Sequence, residues 1–261
     1  MGNKTSSTCN SIPEELHHIP LINWQVFTSH NSYLKNLQHL SIASADNIIK
    51  SMDTGARFLF LDVYRVSGKF VIAHGVNNTP TTVYVSLEKC LDAIKAHAFE
   101  RTTDPLLINF ELCLASKYFE ELSNVIKTKL GSSLILPEQL TTDNVWQTPI
   151  GLLMNKIAIV ECPALSIDVS RNYLTWQNMS SDVFESKLEA GTLDPKTYWI
   201  STWQSDNLGA LFGYNYDPKP MLQVGCQAVT MNVLVNDDDM STYRNWFNNH
   251  GFKLSPIYSS N

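Results

Sequence analysis

The chain has 261 residues, 44% of them apolar, and a formal charge of −6. That is enough to bury one full core, and ~250 residues is the usual size of a (β/α)₈ barrel. The acidic balance argues against nucleic acid as a partner, because no basic stripe exists to displace counterions. It also works weakly against adsorption of the protein body to an anionic bilayer.

In chain order, residues 1–20 read as a polar N-terminal tail without the apolar centre of a secretory signal. No apolar run reaches the ~18 to 20 residues of a transmembrane helix, so no membrane span is expected. Met1-Gly2-Asn3-Lys4-Thr5-Ser6 fits the pattern for N-myristoylation at Gly2. One myristoyl chain holds a membrane only marginally, so a second signal is needed. Lys4 is the sole basic residue before Lys35, which leaves Cys9 as the candidate for a second acyl chain. The expected location is therefore cytoplasmic, peripheral on the cytosolic face of a membrane.

Residues 21–261 read as a single domain. Strands are predicted at Trp24–Thr28, Phe58–Val63, Phe70–His74, Leu106–Leu112, Lys156–Glu161, Thr197–Ser201 and Ala228–Leu234. Helices are predicted at Ala45–Thr54, Val85–His97, Lys117–Lys129, Ser181–Ala190 and Met240–Asn249. Several strands are apolar on both faces, as parallel strands covered by helices are, and the alternation of the two element types points to the α/β class. Four of the five cysteines (Cys90, Cys113, Cys162, Cys226) sit inside apolar segments and read as buried thiols, not as a disulfide framework. The run Asn236-Asp237-Asp238-Asp239 lacks the alternating ligands and central glycine of a calcium loop. It reads as the cap of the helix that follows.

Polar groups recur just past the apolar runs. His30 and Asn31 follow the first strand, Asp62 lies near the end of the second, His74 ends the third and Glu111 nears the end of the fourth. In α/β barrels such positions gather at one rim. Two imidazoles with oxygen donors are equipment for cleaving a phosphodiester: one steadies charge on the phosphoryl group and the other protonates the leaving oxygen.

Ser29-His30-Asn31-Ser32-Tyr33-Leu34, Gly55-Ala56-Arg57-Phe58-Leu59-Phe60-Leu61-Asp62, His74-Gly75 and Pro105–Leu112 resemble, in order, the X region of phosphoinositide-specific phospholipases C. Asn215-Tyr216-Asp217-Pro218, Gly225-Cys226-Gln227-Ala228-Val229 and Gly251-Phe252-Lys253-Leu254-Ser255-Pro256 resemble the end of that family's Y region. The resemblance implies a TIM-type (β/α)₈ barrel that cleaves phosphatidylinositol to diacylglycerol and a cyclic inositol phosphate. It implies that His30 steadies the phosphorane and His74 protonates the leaving oxygen, with Asn31, Asp62 and Glu111 as ligands of Ca²⁺ and Tyr216 beside the inositol ring. The partner it implies is a phosphoinositide lipid at a membrane surface.

Phe60 departs from the pattern, because the family carries a glutamate there as metal ligand and proton acceptor. Phe60 and Asp62 are two apart on a strand and face the same side, so the ring weakens the expected calcium site. Neither Arg65 nor Lys69 is marked by the sequence as a replacement cation. The substitution raises an alternative, a catalytically impaired protein that binds lipid head groups as a decoy. Glu161-Cys162-Pro163-Ala164 stands where members preferring polyphosphorylated lipids carry lysines, which favours unphosphorylated phosphatidylinositol. A third reading, a phosphodiesterase of the same fold acting on glycerophosphodiesters or sphingomyelin, lacks its His-Arg-Gly-like signature.

Overall fold

The computed structural model describes residues 10–35, 41–76, 78–170, 176–204 and 213–259. Among them, seven parallel strands form one curled sheet in the order β8 (Ile157–Ile159), β7 (Leu106–Cys113), β2 (Phe58–Val66), β1 (Trp24–Ser29), β11 (Ala228–Met231), β10 (Trp199–Trp203) and β9 (Trp176–Ser180). Two isolated parallel bridges, Leu134 to Ile157 and Ile159 to Asp168, extend the β8 edge. No ladder joins β8 to β9 among the described residues, so the α/β architecture is present while an eight-stranded closed ring is not seen there. Helices α1 (Ala45–Asp53), α2 (Leu87–His97), α3 (Phe119–Leu130), α4 (Ser181–Glu189), α5 (Lys219–Gln223) and α6 (Asp238–Phe247) complete the alternation.

Strand alternation divides the core in two. Val26, Phe58, Leu107, Ala158, Trp199 and Ala228 point into the curl, which is floored by the stacked rings of Trp146 and Trp199, 4.3 Å apart. Their sequence neighbours Phe27, Leu59, Leu106, Ile108, Ile157, Ile159, Ile200 and Val229 point outward. Those meet helix faces with apolar spacing of three and four, such as Leu87, Cys90, Leu91 and Ile94 on α2.

Two expectations change. The predicted strand over Phe70–His74 is not a member of the parallel set. β2 overshoots the sheet, turns through Ser67 and Gly68 at φ 48° and 77°, and returns as β3 (Lys69–Ile72), antiparallel to it. A two-residue turn with both φ angles positive is the favoured hairpin loop, and Val-Ser-Gly-Lys is its signature. β9, with the polar sequence Trp-Gln-Asn-Met-Ser, was absent from the strands predicted. By contrast, Asp237 caps α6 as expected, with Oδ1 accepting from the Met240 amide at 2.7 Å. Cys90, Cys113, Cys162 and Cys226 are all free thiols.

Within the segment assigned to the tail, Ile12 and Ile19 are buried, and the Ile12 amide donates to Asp104 Oδ1 at 2.8 Å. Gly2 and Cys9 lie outside the described residues. Arg57, 2% exposed, brackets the start of β2 to the segment leading into β7. Its guanidinium donates to the carbonyls of Ala98, Asp104 and Pro105. Truncation leaves those acceptors buried without partners, at roughly 1–3 kcal/mol each. Arg57→Ala should therefore lower unfolding stability by at least about 3 kcal/mol, read from urea midpoints at an unchanged slope.

Candidate active site

The chain leaving β1 is tied to β2 by one serine. The Ser32 amide donates to the Phe60 carbonyl at 3.1 Å, the Phe60 amide donates back to Ser32 Oγ at 3.3 Å, and Ser32 Oγ donates to the Ser29 carbonyl. Asn31 sits at φ 42° in the left-handed region, which asparagine tolerates better than most residues. This turn sets His30, Asn31 and Tyr33 beside Phe60 and Asp62 of β2.

β2 and β7 pair in parallel so that Phe60 stands opposite Asn109 and Asp62 opposite Glu111. The two carboxylates are therefore neighbours. Repulsion by Asp62, with burial second, pushes Glu111 up to about 7, and His74 acts against the shift. His74 is brought back by the β2–β3 hairpin, and its Nδ1 lies 3.2 Å from Asp62 Oδ2. Its backbone is held by Thr82, whose Oγ1 accepts from the His74 amide at 2.9 Å. The Tyr33 hydroxyl donates to Asn31 Oδ1 at 3.1 Å, and burial, followed by the charge of nearby Asp62, pushes its pKa up. With Nδ1 facing a carboxylate, Nε2 is the nitrogen that exchanges a proton.

His30 is half-buried, with the Asn232 side chain beside it. Burial, assisted by the charge of His74 and opposed by Asp62 and Asn232, lowers it to about 4, so the imidazole is neutral at neutral pH. Five of the sequence-nominated residues thus meet: His30, Asn31, Asp62, His74 and Glu111. Tyr216 is placed differently. It is half-buried between β10 and β11, with its hydroxyl 3.4 Å from Thr202 Oγ1, and it does not line the cavity.

A cavity of about 540 Å³ opens beside this cluster, lined by residues that include His30, Phe60, Glu111, Glu161, Asn178 and Trp203. Phe60 does share the inward face with Asp62, and its ring packs 4.7 Å from that of Phe58. Arg65 cannot serve as a substitute cation. It pairs with Glu121 at 2.6 Å and stacks over Tyr118, on the outer side of the sheet.

Two carboxylates side by side, and an Asn31 amide with a buried Nδ2 that lacks a partner, fit a hard cation. With that amide turned over, Nδ2 would face the Tyr33 hydroxyl and Oδ1 would be the free end. The fit is partial. Among the described residues no group of three or more His, Cys, Asp and Glu side chains is arranged to hold a metal.

Sequence reasoning missed Tyr33, Asn178, Trp203 and Asn232, and it read Glu161 for the lysines absent from that stretch, not as a polar group of the rim. Glu161 was detectable by the criterion used for the others, since it is an acid directly after the apolar run Ile157–Val160.

Residues 17–161 match the family described as "Phosphatidylinositol-specific phospholipase C, X domain". The chain belongs to the phosphatidylinositol-specific phospholipase C family. Phosphoinositide phospholipase C 6 of Arabidopsis thaliana is 30% identical over 203 residues, covering 77% of this chain and 31% of that protein. This chain spans about a third or less of the length of the curated relatives it matches. In fold, it resembles PLC21 of S. officinalis, with a TM-score of 0.78 at 20% identity over 94% of this chain and 38% of the other. It also resembles a calcium-dependent phosphoinositol-specific phospholipase C of Pseudomonas sp, with a TM-score of 0.59 at 12% identity over 95% and 99% of the two chains.

The carboxylate repulsion has a measurable consequence. A folded-state pKa held above the ordinary value subtracts stability as pH rises from about 4.5 through about 7. Glu111→Gln should therefore raise the thermal midpoint at pH 8 in chelator, by no more than the ~2–4 °C that ~1 kcal/mol gives a domain of this size. At pH 4 the gain should vanish.

Proposed function

We propose that this phospholipase C-family chain cleaves unphosphorylated phosphatidylinositol at a membrane face, releasing diacylglycerol and a cyclic inositol phosphate. The observation that carries the reading is the cluster His74–Asp62–Glu111 together with His30, beside a cavity that His30 and Glu111 line. The inositol 2-hydroxyl attacks phosphorus. Its proton passes to a carboxylate of the Asp62–Glu111 pair. Neutral His30 directs an N–H toward the phosphoryl oxygens, where preorganised donors stabilise the charge that develops. Asp62 orients the His74 ring, whose Nε2–H protonates the glycerol oxygen as its bond to phosphorus breaks.

Asn31, Asp62 and Glu111 would hold a calcium ion, which would supply further neutralisation of phosphoryl charge. With Phe60 in place of a fourth ligand, water and substrate must complete the ~6 to 8 oxygens that calcium takes, so binding is weak. The choice of an unphosphorylated head group is supported by the lining, which contains no lysine or arginine among the described residues.

Cyclic inositol phosphate released from phosphatidylinositol vesicles tests the reading. His74→Ala should lower the rate by about 10²–10⁴, the usual worth of a positioned acid, and chelator should lower it further in wild type. Release that ignores chelator would remove calcium and leave the histidines. Phe60 supports a second reading, a head-group-binding decoy, and binding of inositol phosphate without any turnover would establish it.

Membrane contact is supported by exposed apolar side chains on segments that follow strand ends: Ile42 after β1, Val83 and Tyr84 after the hairpin, and Trp203 at the end of β10. Ile42 and Val83 are bridged to each other and form one patch. Among the described residues no helix is long and apolar enough to cross a membrane. Contact therefore rests on this patch and on acylation at Gly2 and Cys9, at the cytosolic face. Val83→Asp should lower vesicle partitioning about tenfold or more, because a charge replaces a buried apolar contact. Gly2→Ala should shift the protein from membrane to soluble fractions, and an unchanged fractionation would remove the tether.

A further inference from the structure

The mechanism leaves one buried acid unused. Glu161, directly after β8, is 5% exposed and lines the cavity that also holds His30 and Phe60. Its backbone adopts φ 55° and is fastened on both sides, the amide donating to Ser170 Oγ at 3.1 Å and the carbonyl accepting from Asn109 Nδ2 at 2.9 Å. The carboxyl is fastened too: Trp199 Nε1 donates to Oε1 at 2.8 Å and Ser201 Oγ donates to Oε2 at 3.0 Å. Both donors come from β10, on the opposite side of the curl. Each carboxyl oxygen retains a further lone pair.

Glu161 follows β8, on the far side of β7 from the β2 strand that carries Asp62, and the charge acting on it is that of Asp168. The groups facing it are Asn109 from β7, Trp199 and Ser201 from β10, and Asp168 with Ser170 from the segment after it. None is cationic. Asn178 and Trp203, the latter 45% exposed, add an amide and an indole to the same lining. Fixed carboxyl, amide and exposed indole suit a neutral polyol ring, and an anion meets no compensating charge there.

We propose that Glu161 is the specificity-determining residue of this site: it bonds a ring hydroxyl of the head group and excludes rings that carry phosphate in that place. The inference rests on the phospholipase reading above and names the group that enforces its substrate choice. Burial pushes Glu161 up to about 8, against the donors Ser201 and Trp199. A protonated acid both gives and accepts a hydrogen bond, whereas the ionised form accepts and repels phosphate, so exclusion should sharpen as pH rises.

The test is calorimetric titration of the full chain with myo-inositol 1-phosphate and with myo-inositol 1,4,5-trisphosphate, at pH 6.5 and pH 9. Wild type should favour the monophosphate by at least about tenfold at pH 9, and by less at pH 6.5. Glu161→Gln keeps an acceptor for Trp199 and a donor for Ser201, so its melting temperature should match wild type. Its preference should be weak and nearly the same at both pH values, and comparison with wild type cancels titration of the ligands themselves. If Glu161→Gln retains the full preference and its pH dependence, the inference is overturned while the phospholipase reading stands. If wild type binds neither head group, both fall.

Discussion

The parallel register between β2 and β7 is the constraint on which the site depends. It sets Asp62 beside Glu111 and Phe60 beside Asn109, and a slip of one residue would turn each inward group toward the helices. Leu59 and Leu61 pack outward against the helical layer, so a slip would bury carboxylates in an apolar interface. Hydrophobic burial on one face therefore fixes electrostatics on the other. The Arg57 bracket and the Ser32 clamp both hold the start of this strand, at Arg57 and at Phe60.

That strand also delivers the second imidazole. Because β2 continues past the sheet and returns through the Ser67-Gly68 turn, Ala73 donates back to the Asp62 carbonyl and His74 follows it. One continuous segment thus carries both members of the His74–Asp62 pair, 12 residues apart. Their spacing is set by a hairpin and not by the meeting of two helices or loops, which suits a proton-transfer geometry that must hold to within a fraction of an ångström.

What was legible in the sequence followed from periodicity and from the short motifs. Doubly apolar runs revealed β2 and β7, and polar groups at or just past the ends of such runs drew attention to Asp62, Glu111, His30 and Asn31. The antiparallel return of β3 was missed because an apolar run alone carries no direction, although the Ser-Gly turn before it did. β9 was missed because it is polar and forms an edge of the described sheet, so only its last two residues are buried. Tyr216 follows the family pattern in position, and its hydroxyl is directed at Thr202. The contribution of Trp199 and Ser201 to holding Glu161 was invisible without coordinates, since they lie about 40 residues away, on β10.

Phe60 and Glu161 can be understood together. At position 60 an aromatic ring stands where a charge would reinforce a cation beside the phosphoryl group. At position 161 an acid stands after β8, where a cation would greet extra phosphates. In the proposed function both residues move the cavity away from highly charged ligands: one weakens the means of neutralising phosphate, and the other penalises adding more of it. The Phe58–Phe60 contact joins the floor of the curl to the cavity wall, and Trp199 links that floor to Glu161. The aromatic interior thus keeps Glu161 desolvated as well as in place. A carboxyl kept dry in this way discriminates far more sharply against a phosphate than one at the surface, because little solvent screens the encounter.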